Sequence, residues 1–137
     1  MTAVMLINID VDDVERAVAF YTAAFGLKVG RRLGPFVVEL TGGSSPMYLL
    51  AKSAGSPASA PTGEQRRYSR HWTPIHLDFV VSDLETALEA ALSAGATLEA
   101  QPARHVWGKI ARLADPFGHG VCLIEFIGRG YDEIATS

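Results

Sequence analysis

The feature that most constrains this chain is an internal repeat. Residues Ile9-Asp10-Val11-Asp12-Asp13-Val14-Glu15-Arg16-Ala17-Val18 align with Phe79-Val80-Val81-Ser82-Asp83-Leu84-Glu85-Thr86-Ala87-Leu88 at a constant offset of 70, about half of the 137 residues. A repeat of this kind makes each half one supersecondary unit that must bury its apolar face against the other. In both copies an alternating apolar stretch, 5–11 and 75–81, predicts a strand that runs into an Asp able to cap a helix, Asp13 or Asp83. Apolar residues at helical spacing follow: Val14, Ala17, Val18, Tyr21 and Phe25 before Gly26, then Leu84, Ala87, Leu88, Ala91 and Leu92 before Gly95. Both glycines stand where a helix C-cap belongs, and Phe20, Tyr21 and Phe25 read as core.

Three short strand-like segments come after each helix: 28–33, 36–40 and 47–51 in the first half, then 97–101, 109–114 and 120–127 in the second. The order strand, helix, three strands occurs twice, so the fold class is α+β with two tandem βαβββ modules. Module one covers about 1–52 and module two about 72–128, joined by a linker at about 53–71. Within the linker, SAGSPASAPTG at 53–63 is rich in Ser, Ala, Pro and Gly and lacks apolar periodicity. The tail, 129–137, is polar. It is expected either to cross a partner subunit or to fray.

Composition narrows the partners. A 137-residue chain with 48% hydrophobic residues supports one sizeable core. A net charge of −3 leaves no broad basic face for nucleic acid or an anionic membrane. A small organic molecule is the expected partner. The single cysteine, Cys122, excludes an intramolecular disulfide and a multi-cysteine zinc cluster, which fits a reducing, cytoplasmic setting. No basic, then apolar, leader is read at the N-terminus.

Three segments carry a family resemblance: DVDDVERAVAFYTAAFGLKV at 10–29, HLDFVVSDLETALEAALSAGATL at 76–98 and DPFGHGVCLIEF at 115–126. In this order they resemble the vicinal oxygen chelate superfamily, which includes glyoxalases, bleomycin-resistance proteins and extradiol dioxygenases. Asp115-Pro116-Phe117-Gly118 matches its turn before the last strand. There Asp accepts a backbone N–H, Pro presets φ and Gly tolerates the exit geometry. The resemblance implies a curved half-barrel cup built by the two modules around one cleft, with a homodimer expected.

The resemblance also implies metal-ligand positions on the first and last strands of each module. Residue by residue these are Leu6 and His76 on the first strands, Cys122 on the last strand of module two, and the segment Met47-Tyr48-Leu49-Leu50 in module one. One imidazole and one thiol do not supply the three or four N/O ligands such a centre needs. No cofactor is therefore expected. The alternative is a divalent metal at an atypical site using His76, with Glu125 as the nearest further carboxylate.

Strand alternation turns Asn8 and Asp10, and His76 and Asp78, toward the cup, with Ile75, Leu77, Phe79 and Val81 toward the helices. These four polar residues either form a ligand site or satisfy a backbone edge and water. His76 is the candidate general acid or base, and Asp78 its orienting partner. The segment Arg66-Arg67-Tyr68-Ser69-Arg70-His71-Trp72 offers Arg70 and Trp72 as an anion clamp and an aromatic cover, or is a solvated loop. Trp107 is placed by analogy at the cleft mouth. Cys122 is a candidate lining residue, with nucleophilic use given little weight because a lone buried thiol is usually inert. The functional expectation is a metal-independent binder of a small organic ligand. An enzyme of lyase, isomerase or dioxygenase type using His76 is the alternative.

Overall fold

The computed structural model describes residues 1–137. Module one contains β1 (Ile7–Val11), α1 (Val14–Phe25), β2 (Lys28–Arg32), β3 (Val37–Thr41) and β4 (Met47–Ala51). The linker carries two short strands, β5 (Pro57–Ser59) and β6 (Glu64–Gln65), paired with each other. Module two follows with β7 (Leu77–Val80), α2 (Leu84–Ala94), β8 (Thr97–His105), β9 (Gly108–Ala114) and β10 (Gly120–Phe126). A 3₁₀ turn spans Gly130–Glu133. No helix is long and apolar enough to cross a membrane.

The two halves have the same topology. The sheet orders are β1-β4-β3-β2 and β7-β10-β9-β8, with the first and last strand of each module parallel. Both sheets are curved and open. Each helix starts where the repeat predicts: Asp13 accepts the Arg16 N–H at 3.0 Å and Asp83 the Thr86 N–H at 3.1 Å. Gly26 ends α1 at φ 68°, in the left-handed region that a side chain would resist. Each helix packs on the central strands of its own sheet, and α1 also packs on α2. Val11, Phe20, Tyr21, Leu40 and Leu49 of module one therefore join Leu84, Leu113, Phe117 and Leu123 of module two in one continuous core. Phe25 at the end of α1 stacks on Phe79 of β7 with ring centroids 3.9 Å apart.

Local differences from the sequence expectation lie at strand ends. β1 starts at Ile7 and β7 at Leu77, so Leu6 and His76 precede the ladders. Ile75, expected against the helices, is exposed instead because the strand that would turn it inward has not begun. β8 continues to His105, four residues beyond the expected end, by pairing with β9 across two irregularities. The tail is tied down: Tyr131 lies against Phe126 and Trp107, with centroids 4.8 and 5.2 Å away.

A single buried carboxylate links the modules. Asp115, 4% exposed, accepts the Tyr21 hydroxyl of α1 at 2.6 Å through Oδ2. Through Oδ1 it accepts the N–H groups of Phe117 and His119, each at 2.8 Å. Burial, and then the Asp115 charge, push the Tyr21 phenol well above its usual range, so it stays a donor. Tyr21→Phe removes the donor and leaves a buried acceptor one partner short, at a cost of about 1–3 kcal/mol. Urea unfolding of the variant measures this, and a loss below about 0.5 kcal/mol would contradict the role given to this bond.

Candidate ligand-binding site

Residues that alternate with the buried ones face the concave side of each sheet. In module two this places Asp78 on β7, Cys122 on β10 and Arg112 on β9 side by side, since Asp78 pairs with Cys122 and Cys122 with Arg112. The matching positions of module one are Asn8, Tyr48 and Glu39. Equivalent geometry thus carries different chemistry in the two halves.

In module one the polar groups satisfy one another. Arg31 grips Glu39 with Nε at 3.0 Å and Nη2 at 2.7 Å, its backbone N–H donates to the same carboxylate, and the Tyr48 hydroxyl adds a bond at 2.9 Å. These bonds, the guanidinium first, hold the Glu39 carboxyl down to about 2. Module one therefore presents a closed polar network on its concave face.

In module two the concave face is a cleft of about 300 Å³, lined among others by Arg70, Trp72, His76, Glu99, Arg112 and Cys122. Ile110 supplies apolar surface there, with the buried Leu113 and Val121 of the core behind it. His76 Nε2 lies 3.2 Å from Asp78 Oδ1 at the rim. Burial first, and then the neighbouring Asp78, push the Cys122 thiol up to about 11. It is a neutral thiol at physiological pH. Arg70 is clamped by Glu99 through bonds of 2.6 and 2.9 Å, which hold the Glu99 carboxyl below its usual range. Arg112 has no acidic side chain within ion-pair distance.

The linker reaches this cleft by crossing the Asp115 turn. A Cβ on Gly118 would sit 2.3 Å from the Ser69 carbonyl oxygen, and one on Gly120 would sit 2.7 Å from Arg70 Nη2. Gly118, at φ 85° and against linker backbone, needs glycine for that approach, whereas at Gly120 only the flexible end of Arg70 would have to give way. His71 donates its backbone N–H to the Gly118 carbonyl at 3.1 Å, which fixes Arg70 and Trp72 beside the cleft. An adjoining cavity of about 380 Å³ lies between β1 and residues 75–77, with Asn8, Asp10, His71, His76 and His119 on its walls.

The sequence matches the Glyoxalase-like domain family over residues 6–124. The chain belongs to that family. It thereby sits within the vicinal oxygen chelate superfamily. It is 31% identical over 124 residues to the uncharacterized protein Mb0911c of Mycobacterium bovis, covering 80% of this chain and 74% of that one. The anthracycline biosynthesis protein DnrV of Streptomyces peucetius is 29% identical over 126 residues, and the match covers 90% of this chain but 41% of DnrV. A glyoxalase-related enzyme of Fulvimarina pelagi superposes with TM-score 0.71 at 18% identity, covering 91% of this chain and 88% of that one. The fosfomycin resistance protein FosX of Listeria monocytogenes superposes with TM-score 0.68 at 14% identity, covering 93% and 95%. At these identities the superpositions show the shared fold.

The glyoxalase-like fold raises the question of a metal, and the two-sided ligand set does not fit. Leu6 is aliphatic and exposed, and Tyr48, the counterpart of Cys122, already bonds Glu39. In module two, ligand atoms of His76, Asp78 and Cys122 do lie within 4.8 Å of one another. These are three donors from one module, and the family's ligand positions in the other, Leu6 and Tyr48, supply neither a carboxylate nor an imidazole.

Of the residues singled out by sequence, His76, Asp78, Cys122, Arg70 and Trp72 meet at the cleft, while Asn8 and Asp10 face the adjoining cavity. Asp10 is neutralised by Arg66 at 2.6 Å. Trp107 stands apart: it stacks on His105 at 5.1 Å and contacts the tail, because β8 and β9 extend past the cup before turning. Glu125 points to the helix side of β10, where it accepts the Leu84 N–H at 2.8 Å at the start of α2. One residue of strand parity separates it from the face of Cys122. Sequence reasoning missed Arg112, Glu99 and His119, and named His71 only within the linker segment 66–72. The signal for Arg112 was there, a charge set between the apolar residues Ala111 and Leu113 of a strand.

The raised pKa of Cys122 predicts slow alkylation. Despite its place on the cleft floor, its reaction with iodoacetamide at pH 7 is expected to be at least about tenfold slower than that of free cysteine. The rate should climb with pH toward about 11. Mass spectrometry of the intact protein reads this directly, and a rate that levels off near about pH 8 would contradict it.

Proposed function

We propose that the chain binds a small organic molecule with aromatic and anionic character in the module-two cleft, without a metal. The observation that carries this reading is Arg112, an exposed guanidinium lining a cleft of mixed polar and apolar walls, with no acidic side chain within ion-pair distance. Arg70 stands at the same cleft but is already engaged by Glu99, so a carboxylate or phosphate would take its paired hydrogen bonds from Arg112. The exposed Trp72 ring lies where it covers a flat ligand. Relatives whose names refer to anthracycline biosynthesis and fosfomycin resistance support the same coarse class, a small organic molecule.

A second reading, an enzyme moving a proton, is favoured by one contact: His76 Nε2 at 3.2 Å from Asp78 Oδ1. There His76 would be the acid or base at the cleft rim, and Asp78 would orient it.

A thermal-shift panel of aromatic carboxylates and sulfonates tests the first reading. At least one member should stabilise the protein, keep its effect in EDTA, and lose at least about fivefold in affinity with Arg112→Ala. Unchanged affinity in that variant, or near-stoichiometric divalent metal whose removal abolishes binding, would overturn it. A His76→Ala protein that binds the same compound unchanged, but no longer converts it, would establish the second reading.

A further inference from the structure

Two imidazoles form a continuous hydrogen-bonded line between the modules. His119 Nε2 lies 2.7 Å from the Asp10 carbonyl oxygen of β1, His119 Nδ1 lies 3.0 Å from His71 Nε2, and His71 Nδ1 lies 2.9 Å from the Ser69 carbonyl oxygen. The two rings are nearly perpendicular at a centroid distance of 4.8 Å. Carbonyl oxygens only accept, so both terminal nitrogens must carry protons. The central contact needs one proton more. Three hydrogen bonds therefore require three N–H protons on two rings, which is one more than two neutral imidazoles hold. With two protons one contact fails, and with four the central nitrogens oppose each other.

We propose that His71 and His119 share a single extra proton and act as positioning residues, seating the linker segment 69–72 on the rim of the ligand cleft. The cleft is then fully formed only while the pair holds three protons. This rests on the cleft reading given above. His71 is the neighbour of both Arg70 and Trp72, which line the cleft, and its own backbone is bonded to Gly118 of the turn that carries His119. Loss of the line removes the His71 side-chain tie toward β1 and leaves the segment held by the His71–Gly118 backbone bond and the Arg70–Glu99 pair.

The charged and titratable groups around the pair come from every neighbouring element. On β1, Asp10 is tied to Arg66 of the linker. From the linker, Tyr68 meets the His119 ring edge-on at 6.4 Å, Arg70 bonds the Gly118 carbonyl at 3.3 Å, and Glu64 and Arg67 line the outer cavity with both histidines. From the turn, Asp115 accepts the His119 N–H, and behind it lies Tyr21 of α1. His76 faces the same inner cavity. The carboxylates of Asp10 and Asp115 each already hold a donor, so neither takes the place of a carbonyl in the line.

Two measurements on the full chain test the proposal. Long-range ¹H–¹⁵N imidazole spectra of the ¹⁵N-labelled, ligand-free protein, from about pH 5 to about pH 9, should show His71 and His119 titrating jointly in two steps. The intermediate should carry N–H protons on His71 Nδ1 and His119 Nε2 together. Independent single steps, with the His119 curve unmoved by His71→Ala, would overturn the shared proton and leave the cleft reading standing. In the second measurement, 8-anilinonaphthalene-1-sulfonate serves as an anionic aromatic probe whose own charge is constant over this range. Its affinity should pass through a maximum within the pH range of the intermediate. In His71→Ala it should fall by about threefold to tenfold and lose that maximum. An unchanged pH profile in His71→Ala would overturn the positioning role. Joint titration with no dye binding at any pH would overturn the cleft reading, and the positioning role with it.

Discussion

The buried carboxylate of Asp115 is the interaction on which the rest of the structure depends. A carboxylate removed from water must have its lone pairs filled, and here three donors fill them: the Tyr21 hydroxyl and the N–H groups of Phe117 and His119. The hydroxyl comes from module one and the two N–H groups from module two. One side chain thus fixes the relative placement of the modules and the shape of the turn before β10. That turn in turn places Gly118 and Gly120 under the linker and aims His119 at β1. The linker brings Arg70 and Trp72 to the cleft.

The repeated topology gives the cup two equivalent halves, and different side chains at matching positions make those halves differ. Asn8, Tyr48 and Glu39 stand where Asp78, Cys122 and Arg112 stand in the other half. In module one a buried glutamate acquired Arg31 and Tyr48 as partners, so its concave face is self-satisfied. In module two the corresponding positions keep an unpaired guanidinium and a protonated thiol. The same backbone therefore yields one face with its polar groups occupied and one with a cation still open to a ligand.

The repeat at offset 70 made most of the fold legible, because capping aspartates, helical spacing and terminal glycines all pointed to the same two helices. Strand ends were less legible: Ile75 and Leu6 are apolar, so alternation extended the strands over them, but they have no ladder partner. At the site, Asp78 and Cys122 were readable from strand position in the repeat, while His76 lies at the cleft rim just before its strand begins. Trp107 and Glu125 were misplaced for reasons a one-dimensional reading does not contain, a long hairpin that carries the indole away and one residue of register that turns the carboxylate to the helix side. His71 and His119 lie 48 residues apart and meet where Gly118 lets the linker backbone cross the turn. No local pattern announces such a contact.

The claim at the centre of this account is that ligand chemistry belongs to the module-two half of the cup. Methyl-resolved NMR of the Ile, Leu and Val side chains during a titration with 8-anilinonaphthalene-1-sulfonate measures it most directly. Saturable shifts are predicted at Ile110, which lines the cleft, and smaller ones at the buried Leu113 and Val121 behind it, with Val37 and Leu50 on the module-one sheet unmoved. Shifts concentrated at Val37 and Leu50, with Ile110 silent, would contradict it.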